Sequence, residues 1–106
     1  KSEMMIDSSL YIHKIPFRYE DTLALDDIIL YPDFTIRHPK TGEYFYWEHF
    51  GLMDDPVYCK NTFSKLQLYT TNNIVPDINL ITTYETRERP LSMEKIERII
   101  TEHFIE

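Results

Sequence analysis

Apolar residues recur at helical spacing near both ends of the chain, and blocks of aromatic and β-branched residues fill much of the middle. From Lys1 to about His13, the apolar Met4, Met5, Leu10 and Ile12 predict a truncated amphipathic helix. Phe17 to Leu25 has strand character broken near Glu20-Asp21, which predicts an irregular first strand. Ile28 to Arg37 and Glu43 to Phe50 follow, separated by Pro39-Lys40-Thr41-Gly42. Those four residues are turn formers, so the two segments read as the arms of a β-hairpin. Asp54-Asp55-Pro56 is a helix start, with Asp55 as N-cap and Pro56 at the first helical position, where a missing N–H is harmless. That helix is predicted to run to about Thr71. Asn79 to Tyr84 reads as a short buried strand, and Pro90 and Ser92 open a last helix whose Met93, Ile96, Ile100 and Phe104 share one stripe. The order α-β-β-β-α-β-α predicts an α/β fold, a mixed central sheet containing the hairpin and covered by helices on both faces.

Length and composition narrow this picture without choosing a function. A chain of 106 residues, 42% hydrophobic and 27% charged, is one globular domain of ordinary make-up, interrupted by only two glycines. It begins at Lys1, which suggests a fragment of a longer chain whose additional domains would be its partners. No apolar run approaches the roughly 20 residues that span a bilayer and no signal-peptide pattern is present, so a soluble, cytoplasmic protein is expected. The lone Cys59 excludes an intrachain disulfide and a zinc ribbon, and reads as a small core residue. A net charge of −7 argues against a protein that coats nucleic acid. It leaves room for a nuclease, because a carboxylate site is acidic until a metal loads it.

The hairpin supplies the candidate chemistry. A turn centred between Lys40 and Thr41 sets Asp33 of Tyr31-Pro32-Asp33-Phe34 opposite Glu48 of Trp47-Glu48-His49-Phe50-Gly51. Like charges directly opposed across a strand pair repel, and a divalent cation would offset the repulsion. Two hard oxygen ligands on strands suit Mg²⁺ or Mn²⁺, with water or phosphate completing the shell. A register slip of one residue would instead send Glu48 to the other face.

These motifs, in this element order, resemble the PD-(D/E)XK nuclease superfamily over nearly the whole chain, with its restriction-endonuclease-like fold. Within it, Pro32-Asp33-Phe34 followed by Glu48-His49-Phe50-Gly51 is similar to small nuclease-like domains of bacterial proteins and helicase-associated modules. Lys65, Tyr69 and Thr83-Tyr84-Glu85 match the helix and strand that accompany that signature. The resemblance implies that Asp33 and Glu48 hold the metal, that Glu3 on the first helix is an auxiliary acid, and that a lysine two residues after Glu48 orients the attacking water. Phe50 stands at that lysine position. At about 100° per residue, Tyr58, Lys65 and Tyr69 share a narrow helical stripe, whereas Lys60 lies roughly 140° from Lys65. Lys65 is therefore the favoured replacement, with Tyr69 as an auxiliary matching the Gln-x-x-x-Tyr pattern of some superfamily members.

The function expected from these residues is metal-dependent hydrolysis of phosphodiester bonds in DNA, or in RNA. A catalytically silent nuclease-like module that binds nucleic acid or a protein partner is the alternative, and another phosphoester hydrolase on the same fold is a third. His49 is expected to point away from Glu48 into the core. His13, His38 and His103 show no ligand spacing, Tyr44 and Tyr46 share the Glu48 face, and Arg87 and Arg89 are candidates for backbone-phosphate contact.

Overall fold

Turn chemistry fixes the centre of the fold. In the computed structural model, which describes residues 1–106, β4 (Phe34–Arg37) and β5 (Tyr44–Phe50) pair antiparallel, with Arg37 opposite Tyr44 and Phe34 opposite Trp47. Between them the His38 N–H donates to the Glu43 carbonyl at 2.8 Å and the Gly42 N–H to the His38 carbonyl at 2.9 Å. Gly42 sits at φ +77°, a conformation a residue without Cβ enters freely. The register is the one that a turn centred between Lys40 and Thr41 predicts.

A short β1 (Phe17–Tyr19) lies antiparallel on the outer side of β4, and β6 (Leu80–Tyr84) lies parallel to β5, giving the sheet order β1-β4-β5-β6. Parallel neighbours need a crossover. Helix α2 (Pro56–Thr71) provides it and starts where the sequence predicts, with Asp55 Oδ1 accepting from the N–H groups of Val57 and Tyr58 at 2.9 and 3.1 Å. Helix α1 (Ser2–Ile12) precedes the sheet, and α3 (Met93–Ile100), N-capped by Ser92, closes the chain through a π-turned segment, Thr101–Ile105.

Alternation along β5 divides the interior. Trp47, with Phe34, Ile36 and Ile81, packs against Ile6 and Leu10 of α1 and against Ile96, Ile100 and Phe104. Tyr46 and Leu80 on the other face meet Leu66 and Tyr69 of α2. The first cluster contains eleven buried residues and the second three, so the α2 face is thinly filled and has room for a polar site. Helices therefore cover both sides of an α/β sheet, and none is long and apolar enough to cross a membrane.

The strand boundaries differ from the sequence expectation in two places. Phe17 to Leu25 is two strands in two sheets: β1, and β2 (Leu23–Leu25), which pairs with β3 (Ile28–Leu30) in a separate two-stranded sheet. Likewise Ile28 to Arg37 is β3 and β4, interrupted at Tyr31-Pro32-Asp33. Pro32 has no N–H for a ladder, and the two-residue Asp26-Asp27 turn, with Asp26 at φ +34°, folds β3 back on β2. Leu23, Leu25 and Leu30 of this small sheet pack beside Tyr46 and Leu66, covering part of the α2 face. Three packing expectations also change: α1 buries Ile6, Ser9 and Leu10 while Met4 and Ile12 are exposed; Met93 is exposed at the helix start, outside the buried stripe of Ile96, Ile100 and Phe104; and Cys59 is half-buried on α2 instead of lying in the core.

Candidate active site

The β4–β5 ladder ends at Phe34–Trp47, and continuing it by one position sets Asp33 opposite Glu48. With Pro32 before it, the chain leaves the ladder, and the Asp33 carboxylate takes over as acceptor: its Oδ2 receives the His49 N–H at 2.7 Å. The Asp33 carbonyl receives the Glu20 N–H at 3.0 Å. Burial, reinforced by the Glu48 charge and opposed by the His49 N–H, pushes the Asp33 carboxyl from 3.8 up to about 7.

Glu48 is almost wholly enclosed, at 2% exposure. A buried carboxylate needs partners. Both come from α2: Lys65 Nζ lies 2.7 Å from Glu48 Oε2, and Tyr69 Oη donates to the same oxygen at 2.6 Å. Burial and the Glu48 charge raise the Tyr69 pKa, so the phenol stays a neutral donor. The lysine side chain is 35% exposed, its stem packed and its ammonium reaching the site. Lys60 is exposed and outside the cavity, as its position on the helix predicts.

A cavity of about 210 Å³ opens above these groups, lined by Glu3, Asp33, Glu48, His49, Phe50, Tyr58, Asn61, Thr62 and Lys65. Glu3, the predicted auxiliary acid, reaches it from the first turn of α1 and accepts a hydrogen bond from the Tyr19 hydroxyl. That bond, with burial, raises the Tyr19 pKa. Tyr58 Oη accepts the Gly51 N–H at 3.1 Å, fixing the chain just after β5. Phe50, two residues after Glu48 where a lysine was expected, is buried and stacks on Tyr84 with centroids 5.5 Å apart. Asn61 and Thr62 escaped the sequence reading. The available signal was spacing, since Asn61 lies one turn before Lys65 on the same stripe.

His49 points to the opposite face and belongs to a buried network. Trp47 Nε1–H donates to Thr83 Oγ1 at 3.1 Å, Thr83 Oγ1 meets His49 Nδ1 at 2.8 Å, and His49 Nε2 meets Glu85 Oε1 at 2.6 Å. In neutral His49 the chain runs one way: Thr83 donates to Nδ1 and Nε2–H donates to Glu85. Ser2 Oγ–H also donates to Glu85 Oε1. Burial opposes ionisation of Glu85, but the Ser2 and His49 hydrogen bonds prevail and hold its pKa low. The same carboxylate thus ties the residue before Glu3 to the residue after Glu48.

The remaining candidates lie elsewhere. His13 pairs with Glu97 at 2.7 Å, His38 accepts turn N–H groups, and His103 bonds the Ile99 carbonyl at 2.9 Å. Tyr46 packs in the α2-side core and Tyr44 is exposed. Arg87 and Arg89 lie in the loop after β6, where their N–H groups bond Asp54 and Thr86.

The chain contains no group of three or more His, Cys, Asp or Glu side chains set to cage a metal. Hydrogen bonds engage Oδ2 of Asp33 and Oε2 of Glu48, leaving the second oxygen of each. Two hard oxygens beside a repelling carboxylate pair suit a cation that keeps most of its water, as Mg²⁺ does. No protein-family model, curated protein or solved structure matches the chain. The functional reading therefore rests on the site.

Proposed function

We propose that this chain is a Mg²⁺- or Mn²⁺-dependent nuclease domain, with a restriction-endonuclease-like arrangement, that hydrolyses phosphodiester bonds in DNA. The observation that carries the reading is the convergence of Asp33, Glu48 and Lys65 on one cavity, with Tyr69 beneath Glu48. The cation would bind Asp33 and Glu48, acidify a water and act as a Lewis acid toward the phosphate.

The chain's own residues then have separable tasks. Asp33, whose carboxyl burial and Glu48 push up to about 7, would release its proton in holding the cation. Tyr69 and Lys65, both on Glu48 Oε2, hold the buried Glu48 carboxylate in one orientation. Lys65, beside the cavity with a fixed positive charge, stabilises the anionic oxygens that develop as water adds to phosphorus. The new P–O bond forms from water, whose proton passes to solvent; the bond to the leaving sugar oxygen breaks, and that oxygen takes a proton from solvent. Lys65 acts through charge, its ammonium held 2.7 Å from Glu48 Oε2 at the edge of the cavity.

Nicking of supercoiled plasmid in Mn²⁺ tests the assignment. Lys65→Ala is expected to reduce turnover by about 10²–10³-fold, the usual effect of removing one preorganised stabilising group. Lys60→Ala should nick like wild type. Loss of nicking with Lys60→Ala and its retention with Lys65→Ala would overturn the lysine assignment. Phe50 in the lysine position favours a second reading, a silent module that binds nucleic acid or a protein partner. That reading requires binding to survive Asp33→Ala and the wild-type domain to leave plasmid intact.

A further inference from the structure

We infer that Arg18, Thr35 and Arg37 form an anion site for a backbone phosphate of a polynucleotide, separate from the Asp33–Glu48 cavity but on the same face of the sheet. Register places them. Arg18 lies opposite Thr35, Thr35 opposite Tyr46 and Arg37 opposite Tyr44, so all three share the face to which Tyr46 and Glu48 belong. They line one cavity of about 210 Å³ together with the exposed Tyr44.

Three observations mark this cavity as an anion site. First, its guanidiniums are nearly uncommitted: Arg37 has no carboxylate partner, and the one ion pair of Arg18, to Asp21 at 3.8 Å, is solvent-exposed and weak. Second, Lys14 and Lys40 line an adjoining cavity that shares Arg37, so four of the chain's eleven Lys and Arg residues gather at one edge of a molecule whose net charge is −7. Third, Thr35 Oγ1 is the chain's one buried side-chain polar atom without a hydrogen-bond partner. A phosphate oxygen drawn in by the arginines supplies the acceptor that this hydroxyl lacks.

The two cavities share no lining residue. Tyr44 and Glu48 are four residues apart on β5, about 13 Å at ~3.3 Å per residue. About four nucleotides of one strand cover that span at a stacked rise of ~3.4 Å each. The choice of a polynucleotide over a free oxyanion rests on the nuclease reading above.

The test measures binding of a fluorescent oligothymidylate by anisotropy in EDTA, across a salt series, so neither metal nor cleavage enters. Arg18→Gln and Arg37→Gln are each expected to weaken binding several-fold and to reduce the slope of log K against log salt by about one. Lys95→Gln, on α3, should match wild type. Amide NMR of the unmodified protein should show oligonucleotide-dependent shifts at Arg18, Thr35, Arg37 and Tyr44. Arginine variants that bind like wild type, or a Lys95→Gln loss of equal size, would overturn the inference. So would inorganic phosphate moving the same amides at equal concentration, which would make the ligand a free oxyanion. Nicking that persists while the arginines prove irrelevant sinks this site alone. Arginine-dependent binding by a protein that never nicks sinks the hydrolase reading alone.

Discussion

Asp33 is the residue at which function and stability oppose each other. Its carboxyl is raised from 3.8 to about 7 by burial and by Glu48, so the folded state holds a proton that the unfolded chain releases at lower pH. Folded stability contributed by this group is intact below pH 3.8 and is lost as pH rises toward 7 and the buried carboxylate must ionise. Asp33→Asn keeps an acceptor for the His49 N–H and removes that ionisation. In EDTA above neutral pH, thermal unfolding should show Asp33→Asn to be more stable than wild type, with the difference vanishing in acid; a less stable variant at high pH would contradict the pair's repulsion. Metal binding displaces the same proton, so Mn²⁺ affinity should fall about tenfold per pH unit below 7. Lys65 and Tyr69 were legible because one helical turn sets them on one stripe. Asn61 and Thr62 were not, since a polar residue on an amphipathic helix has the same pattern whether it faces a cavity or water.

Among the elements, those fixed by local chemistry matched the sequence reading. Pro39 to Gly42 set the hairpin register, and Asp55-Pro56 set the start of α2. The β2–β3 sheet was hidden because Leu23–Leu25 and Ile28–Leu30 are short apolar runs like their neighbours, and only Pro32 and the thin core on the α2 face separate them from the main sheet. The Ser2–Glu85–His49 link was hidden for another reason: it joins residues 83 positions apart, which no local pattern reports. It makes Glu85 a strut between α1, β5 and the end of β6. Glu85→Ala is expected to reduce stability by about 1–3 kcal/mol in urea unfolding, the usual consequence of unpairing buried donors. It should also speed exchange of the His49 amide, whose hydrogen bond holds Asp33. Glu85→Gln, which retains an acceptor, should restore most of both. Unchanged His49 exchange in Glu85→Ala would disconnect the strut from the site.

For the molecule as a whole, the uneven interior and uneven charge belong together. Eleven buried residues between the sheet and α1–α3 stabilise the fold, while the α2 face gives part of its area to a buried ion pair and a cavity. Such a pair is weak evidence for stability, because its desolvation offsets much of its attraction. It is better understood as a device that fixes the orientation of Glu48. The acidic balance and the cations at the β1–β4 edge fit a protein whose substrate approaches over the basic edge and meets carboxylates only once a cation has loaded them.

A metal site built on Asp33 and Glu48 is tested by calorimetric titration of Mn²⁺ into the wild-type domain and into Asp33→Ala and Glu48→Ala, with plasmid nicking followed on the same samples. Wild type is expected to bind and nick, and each variant to lose both. A wild-type domain that binds no Mn²⁺, or variants that keep nicking, would contradict a metal site there.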